Sequence, residues 1–270
     1  MENEKRCPGE LSPEEQREIL EVAILAGQIL LENGAELFRV EDTMERICCR
    51  YGIQSVSFFA LSHVIFMTSG SEREENFAKV QHVPVGGTRL DRVAAVNQLS
   101  REIVKDCLSI GEIKKRLNQI RGMKGESSVI QILASGIGSA CFCYLAGGTL
   151  LDSLSAFISG VLLYVYVIYF SSLYLSKIVG SIGGGAVVAF SCTILYLLRF
   201  GEHLNYIIIC SIMPLIPGVT LINAIRDIVE GNYIFGSVRL LDSLLVFFWI
   251  ATGVGLVLSL FRYLTGGALL

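Results

Sequence analysis

Pro214 and Pro217 stand three residues apart and Gly218 follows them, all inside an uncharged run, LNYIIICSIMPLIPGVTLINAI (204–225). Each proline removes a backbone donor and disturbs the turn before it, and Gly218 is read as letting the chain take an unusual turn. Lipid cannot satisfy the amides and carbonyls freed by such a break, so irregular backbone at membrane depth needs protein or a water-filled cavity around it. A half-helix starting after Gly218 would aim its first amides at an anion such as a carboxylate. The chemistry on offer is therefore binding along a pathway. A simple proline kink is the bland alternative.

Asn223, Arg226 and Asp227 follow one to two turns later. An ionisable group costs roughly 2.5–3.5 kcal/mol at the bilayer centre and much less near an interface. Asp227 falls near one end of its run, so an Arg226–Asp227 interfacial anchor and a proton-coupling or gating carboxylate are both open. Asp152, between two apolar runs, either caps the second run or lines the outer mouth of a pathway. Farther upstream, GAELFRVEDTMERICCRYG (34–52) sets Leu37, Val40, Met44, Ile47 and Tyr51 on one helical face. Arg39, Glu41 and Asp42 belong to the opposite, charged face, where Arg39 reaches Asp42 at i+3 and Asp42 reaches Arg46 at i+4. By default that face is solvated or docks something.

Catalytic and metal signals are thin. There is no GxSxG, HExxH or phosphate loop, and GGTRLD lacks the glycines and lysine that a phosphate loop needs. Ser62-His63 with the acidic face nearby is the one hydrolytic arrangement to consider, although a strand histidine is more often structural. Eight cysteines and three histidines contain no CxxC pair. Neither a zinc site nor a disulfide framework fits, and most of the cysteines read as small apolar filler. No metal or other cofactor is called for.

The elements that must position these residues divide the chain in two. Of 270 residues, 52% are apolar and 17% charged, yet residues 1–127 hold 17 of the 22 Lys/Arg and 20 of the 25 Asp/Glu. The acidic start, MENEKRCPGELSPEEQ, has no apolar core and does not read as a secretory signal. A net charge of −3 gives a nucleic-acid partner no support. In the first half, Ser12-Pro13-Glu14-Glu15 is a capping box that opens a helix to about Glu32, stopped by Asn33-Gly34. The helix of 34–52 follows, then strands in 55–71 and 78–87, then helices over 89–107 and 110–121. This is a small α+β domain, 1–126, large enough for its own core.

The second half, 127–270, carries five uncharged runs of membrane-spanning length: 127–151, 153–176, 178–198, 204–225 and 243–261. The basic residues Lys105, Lys114, Lys115, Arg116, Arg121 and Lys124 precede the first run. The positive-inside bias then puts the N-terminal half in the cytosol and, after five spans, the C-terminus outside. The basic cluster would also meet anionic membrane lipid. Small-residue pairs, Gly180 with Gly184, Gly253 with Gly255 and Gly136 with Gly138, allow close helix packing. One span would serve as an anchor; five glycine-rich spans favour a channel or transporter.

Three stretches in order, GAELFRVEDTMERICCRYGI (34–53), LAGGTLLDSLSAFISG (145–160) and PLIPGVTLINAIRDIVEGN (214–232), resemble the threonine/serine exporter family. The resemblance runs over nearly the whole chain. It implies a mainly α membrane protein, with an N-terminal cytosolic α+β domain before five transmembrane helices. It also implies export of a small molecule across the plasma (inner) membrane, without enzymatic turnover. Full-length family members have about twice as many spans. The chain is more similar to a split form, like the bacterial succinate exporter, in which a large five-span subunit works with a small membrane subunit. The substrate stays open between small hydroxy amino acids and dicarboxylates, and homo-oligomers are compatible with it. On this resemblance Pro214, Pro217, Gly218, Asn223, Asp227 and Asp152 line the substrate pathway, while Arg39, Glu41 and Asp42 form a cytosolic gate or docking surface. Nothing resembles an ATP-binding domain, so an ion gradient would supply the energy. Two other classes stay in view: a membrane-anchored hydrolase with its site in residues 34–120, and a sensor or scaffold.

Overall fold

A computed structural model of the chain describes residues 12–53, 55–61, 63–70, 77–84, 86–171 and 176–265. Cys7, Ser62 and the last part of the second apolar run (172–175) lie outside the described residues. The fold is mostly helical and falls into two compact units. One comprises Met1–Lys124 with Val219–Leu240, the other Gly125–Gly218 with Leu241–Leu270.

In the first unit, α1 (Pro13–Glu32) begins at the expected capping box: Glu15 N donates to Ser12 Oγ at 3.2 Å and Ser12 N to Glu15 Oε2 at 2.9 Å. Gly34, at φ 82°, sits where the chain turns toward α2 (Leu37–Arg50). The apolar stripe of α2 is buried as its periodicity requires, and Met44 presses on α1 at Gly27, where a Cβ would have no room. The apolar stretch 55–71 forms two strands rather than one, β1 (Val56–Leu61) and β2 (Val64–Ser69). A single strand of that length would run to roughly 55 Å at about 3.3 Å per residue, too long for a small core. Folding back between Leu61 and Val64 instead brings Phe58, Ala60, Ile65 and Met67 to one buried face. With β3 (Phe77–His82) the sheet is antiparallel in the order β1-β2-β3, with Ala60 opposite Ile65 and Phe66 opposite Val80. Two helices, α3 (Leu90–Lys105) and α4 (Ile110–Arg121), complete the unit through Val96, Leu99, Ile103, Ile113 and Leu117. Burial pushes the Cys48 thiol up to about 12. Cys107 departs from the reading of the cysteines as filler, since it is disulfide-bonded.

The second unit contains α5 (Ser128–Leu145), α6 (Leu150–Tyr166) running on through a π turn at Val167–Ser171, α7 (Lys177–Leu197) and α8 (Leu204–Ile212). Past the break lies α9 (Gly218–Val229), and α10 (Tyr233–Leu264) is one 32-residue helix that starts well before the expected last span. Among the described residues, four helices are long and apolar enough to cross a membrane; α8 and α9 supply a fifth span only if taken together across a 66° bend. Helices α7 and α10 approach at reciprocal glycines. A Cβ on Gly185 would strike the Ile250 carbonyl, and one on Gly253 would strike the Ile182 carbonyl. By contrast, Gly138 and Gly255 face open space and pack nothing within 4 Å.

Candidate functional site

The break is made by its prolines. After α8, Met213–Leu215 tightens into a single 3-10 turn that contains Pro214. Ile216 is extended (φ −70°, ψ 123°), as the residue before a proline is forced to be. Its amide donates to the Met213 carbonyl at 3.1 Å, and the Gly218 amide donates to the Ile216 carbonyl at 2.8 Å. Gly218 does not take a left-handed conformation, and a Cβ there would meet nothing within 4 Å. The chain does turn sharply here, but the turn is centred on Pro217, one residue earlier, and needs no left-handed backbone at Gly218. Met213 and Pro214 line a mainly apolar cavity of about 380 Å³ with Ser135, Gly138, Phe142 and Tyr164.

Behind that cavity lies a set of buried hydroxyls that sequence reasoning missed. On α6, Asp152, Ser155, Ala156, Ser159, Gly160 and Leu163 share one buried face at helical spacing. Ser191 Oγ donates to Ser159 Oγ at 3.0 Å, Cys192 Sγ to the same oxygen at 3.2 Å, and Ser211 Oγ to the Ala156 carbonyl at 3.5 Å. Ser139 Oγ is fully buried without a partner. Small hydroxyl residues let membrane helices approach closely and add interhelical hydrogen bonds. The available signal was the small-residue spacing of DSLSAFISG (152–160).

Asp152 has no solvent exposure and locks the start of α6. It forms a capping box with Thr149, with Thr149 N to Asp152 Oδ2 at 2.9 Å and Asp152 N to Thr149 Oγ1 at 3.2 Å. Its Oδ1 also accepts the Glu202 and His203 amides at 2.6 and 3.0 Å, and Oδ2 lies 2.9 Å from His203 Nδ1.

Asn223, Arg226 and Asp227, at i, i+3 and i+4, put one face of α9 against the α1–α2 corner of the first unit. Asn223 Nδ2 donates to the Gly34 carbonyl at 3.0 Å, and Arg226 pairs with Glu36. Asp227, fully buried, accepts the Leu37 amide at 3.1 Å and pairs with Arg239 Nη1 at 3.0 Å. Arg226 and Asp227 therefore anchor to different partners rather than to each other. The first amides of any helix lack an intrahelical acceptor, and Glu36, at the N-cap of α2, makes no side-chain cap bond. Asp227 caps α2 in its place, from almost two hundred residues away. Arg239, whose guanidinium also lies 4.6 Å over the Phe235 ring, was not anticipated. Its sequence signal was a cation ahead of the long apolar run of this helix.

The charged face of α2 divides. Arg39 pairs with Glu36 at 3.1 Å and Asp42 with Arg46 at 2.7 Å, all on the outer side. Glu41 turns inward instead and accepts the Ala60 amide of the edge strand β1 at 3.0 Å. Burial raises its carboxyl despite that bond. Burial also works to raise Glu36, but the guanidiniums of Arg226 and Arg39 outweigh it and hold the carboxyl low. His63 is exposed in the β1–β2 turn, and the Ser62 beside it lies outside the described residues.

Several long apolar helices, one interrupted by prolines, define a multi-pass membrane protein of transporter type. The ThrE family model, that of threonine/serine exporters, matches residues 21–261, and the chain belongs to this family. It is 26% identical over 248 residues to a Klebsiella aerogenes protein named "Probable succinate transporter subunit YjjP", covering 91% of this chain and 94% of that one. The protein of the same name from Escherichia coli K12 is 25% identical over 252 residues, covering 93% and 96%. The "Threonine/serine exporter" of Corynebacterium glutamicum is 23% identical over 249 residues, which is 90% of this chain but 51% of that protein. No solved structure matches.

Proposed function

We propose that the chain is the large subunit of a gradient-driven exporter of a small carboxylate metabolite, either a hydroxy amino acid such as threonine or serine or a dicarboxylate such as succinate. The observation that carries this reading is the proline break beside the cavity of α5 and α6. It leaves backbone polar groups at membrane depth, where only a protein-lined or watered pathway suits them. Pro214, Pro217 and Gly218 line that pathway. Asn223 and Asp227 stand at its cytosolic end, and Asp152 stands at the outer mouth.

The chain lies in the inner membrane, with residues 1–126 forming a cytosolic domain, 127–270 the membrane domain apart from residues 219–240, which fold with the first unit, and the C-terminus outside. The basic residues before Ser128 support this orientation. Arg39 and Asp42 serve a gate or docking face, with Glu41 fixing α2 to the sheet behind it. A small membrane subunit of the same family completes the exporter. Relatives of matching length are named subunits, and the Corynebacterium exporter is about twice as long.

The test is efflux of labelled threonine and of labelled succinate from cells producing Pro217→Ala or Asp227→Asn, with membrane levels checked by immunoblot. Efflux should fall at least tenfold at equal protein level. Wild-type efflux from Pro217→Ala would remove the pathway assignment.

A further inference from the structure

A cavity of about 310 Å³ in the first unit is lined by one stripe from each of three helices. From α2 come Arg39, Asp42, Thr43 and Arg46, spaced i, i+3, i+4 and i+7. Asn97, Ser100 and Arg101 of α3 repeat the i, i+3, i+4 spacing, and Arg226 in the last turn of α9 is joined by Glu230 just past its end. The apolar stripes of α2 and α3 lie in the core, so both helices turn their polar sides to this space.

Charge in the lining is mostly neutralised internally. Glu36 takes both Arg39 and Arg226, and Asp42 takes Arg46. Arg101 is different, because its guanidinium meets only the Gln98 side-chain oxygen, at 2.8 and 3.3 Å. Thr43 and Ser100 are each 4% exposed, and among the described residues neither hydroxyl, nor the Asn97 amide, makes a hydrogen bond. These three polar groups are left open to the cavity, and they converge there with a cation that meets no carboxylate among the described residues.

We propose that this cavity binds a small organic carboxylate, separate from the transport pathway. Arg101 takes a carboxylate through paired N–H donors, the geometry in which arginine is strongest. Thr43, Ser100 and Asn97 receive the other polar end, a hydroxyl or a second carboxylate. The volume suits a molecule of a few carbons, at the small end of metabolite sites. As a sensor of cargo the site rests on the export reading; as a binding site it does not.

The full chain, purified in detergent, is titrated calorimetrically with succinate, threonine and inorganic phosphate in turn. Succinate or threonine should bind, with about tenfold weaker affinity in Arg101→Gln, as expected for losing a charge-assisted contact. Ser100→Ala should weaken it several-fold, both variants should keep the ligand-free melting temperature, and Pro217→Ala should bind as wild type does. Carboxylate binding unchanged in Arg101→Gln, binding of phosphate alone, or no binding of any of the three would overturn the proposal. Normal efflux from Pro217→Ala together with intact Arg101-dependent binding would remove the pathway and leave this site standing.

Discussion

Asp152 and Asp227 are both fully buried, one in each unit, and their surroundings are opposite in kind. Asp152 is held by the backbone amides of Thr149, Glu202 and His203, fixed dipoles at a helix start and a loop, plus the His203 ring. Asp227 has one amide, from Leu37, and one ion, Arg239. A carboxylate satisfied by fixed amides has nowhere else to go, so it works as a lock on the loop before α8. A carboxylate balanced by a long side chain can lose its partner when that side chain moves, and each ion is then exposed to the full penalty of burial. This makes Asp227 the better candidate for a group that changes state during a transport cycle.

The contrast can be broken most forcefully at Asp227. Replacement by Ala takes the carboxylate away from the half-buried Arg239 and its acceptor away from the Leu37 amide, and should cost about 3 kcal/mol. Cys48 in the first unit and Cys192 in the second are both buried, so alkylation followed by mass spectrometry reads each unit separately. Asp227→Ala should expose Cys48 first. Adding Arg239→Leu should recover much of the loss, since removing both ions is far milder than orphaning one. A double variant no better than the single would show that the ion pair is not what Asp227 contributes.

Asp152→Ala comes next, at about 2 kcal/mol, because the exposed Glu202 and His203 segment can rehydrate its amides. Here Cys192 protection should fall while Cys48 stays protected, the reverse of the first case. Asparagine sharpens the comparison further. At 152 it keeps an acceptor for the amides and should cost about 1 kcal/mol, whereas at 227 it removes the charge that faces Arg239 and should cost more. Equal losses for the two asparagine variants, measured by thermal melting, would erase the distinction drawn between the sites.

Glu41 and Arg226 should have the smallest effects. The folded chain holds the Glu41 proton more tightly than the unfolded chain does, because burial raises the carboxyl. Stability from this group is therefore greatest in acid and declines as pH rises from the ordinary glutamate range through the raised folded value. Glu41→Gln should flatten that part of the melting-temperature profile; a profile parallel to wild type would remove Glu41 as its source. Arg226→Gln disturbs an exposed pair with Glu36 and should leave the melting temperature almost unchanged.

Much of the local structure was legible. The capping box of Ser12 and Glu15, the buried stripe of α2, the limits of α4 and the break at Pro214–Pro217 all follow from interactions within a few residues. The hairpin hidden in residues 55–71 was less so, since a continuous apolar run does not say where it folds back. The sharp turn at Pro217–Gly218 was legible, but it is centred on the proline and draws on no conformation peculiar to glycine.

The sequence by itself determined that the chain has a charged half and an apolar half, that the apolar half breaks at its prolines, and which helical faces are greasy, because each of these depends on composition or short-range periodicity. Only the tertiary structure decided that residues 219–240 belong with the N-terminal unit, that Asp227 caps α2 and pairs with Arg239, and that three polar stripes enclose one cavity. Those relations join residues up to 190 positions apart. Hydrogen-bond partners at such separation leave no periodicity in a single chain, so neither propensity nor pattern could have named them.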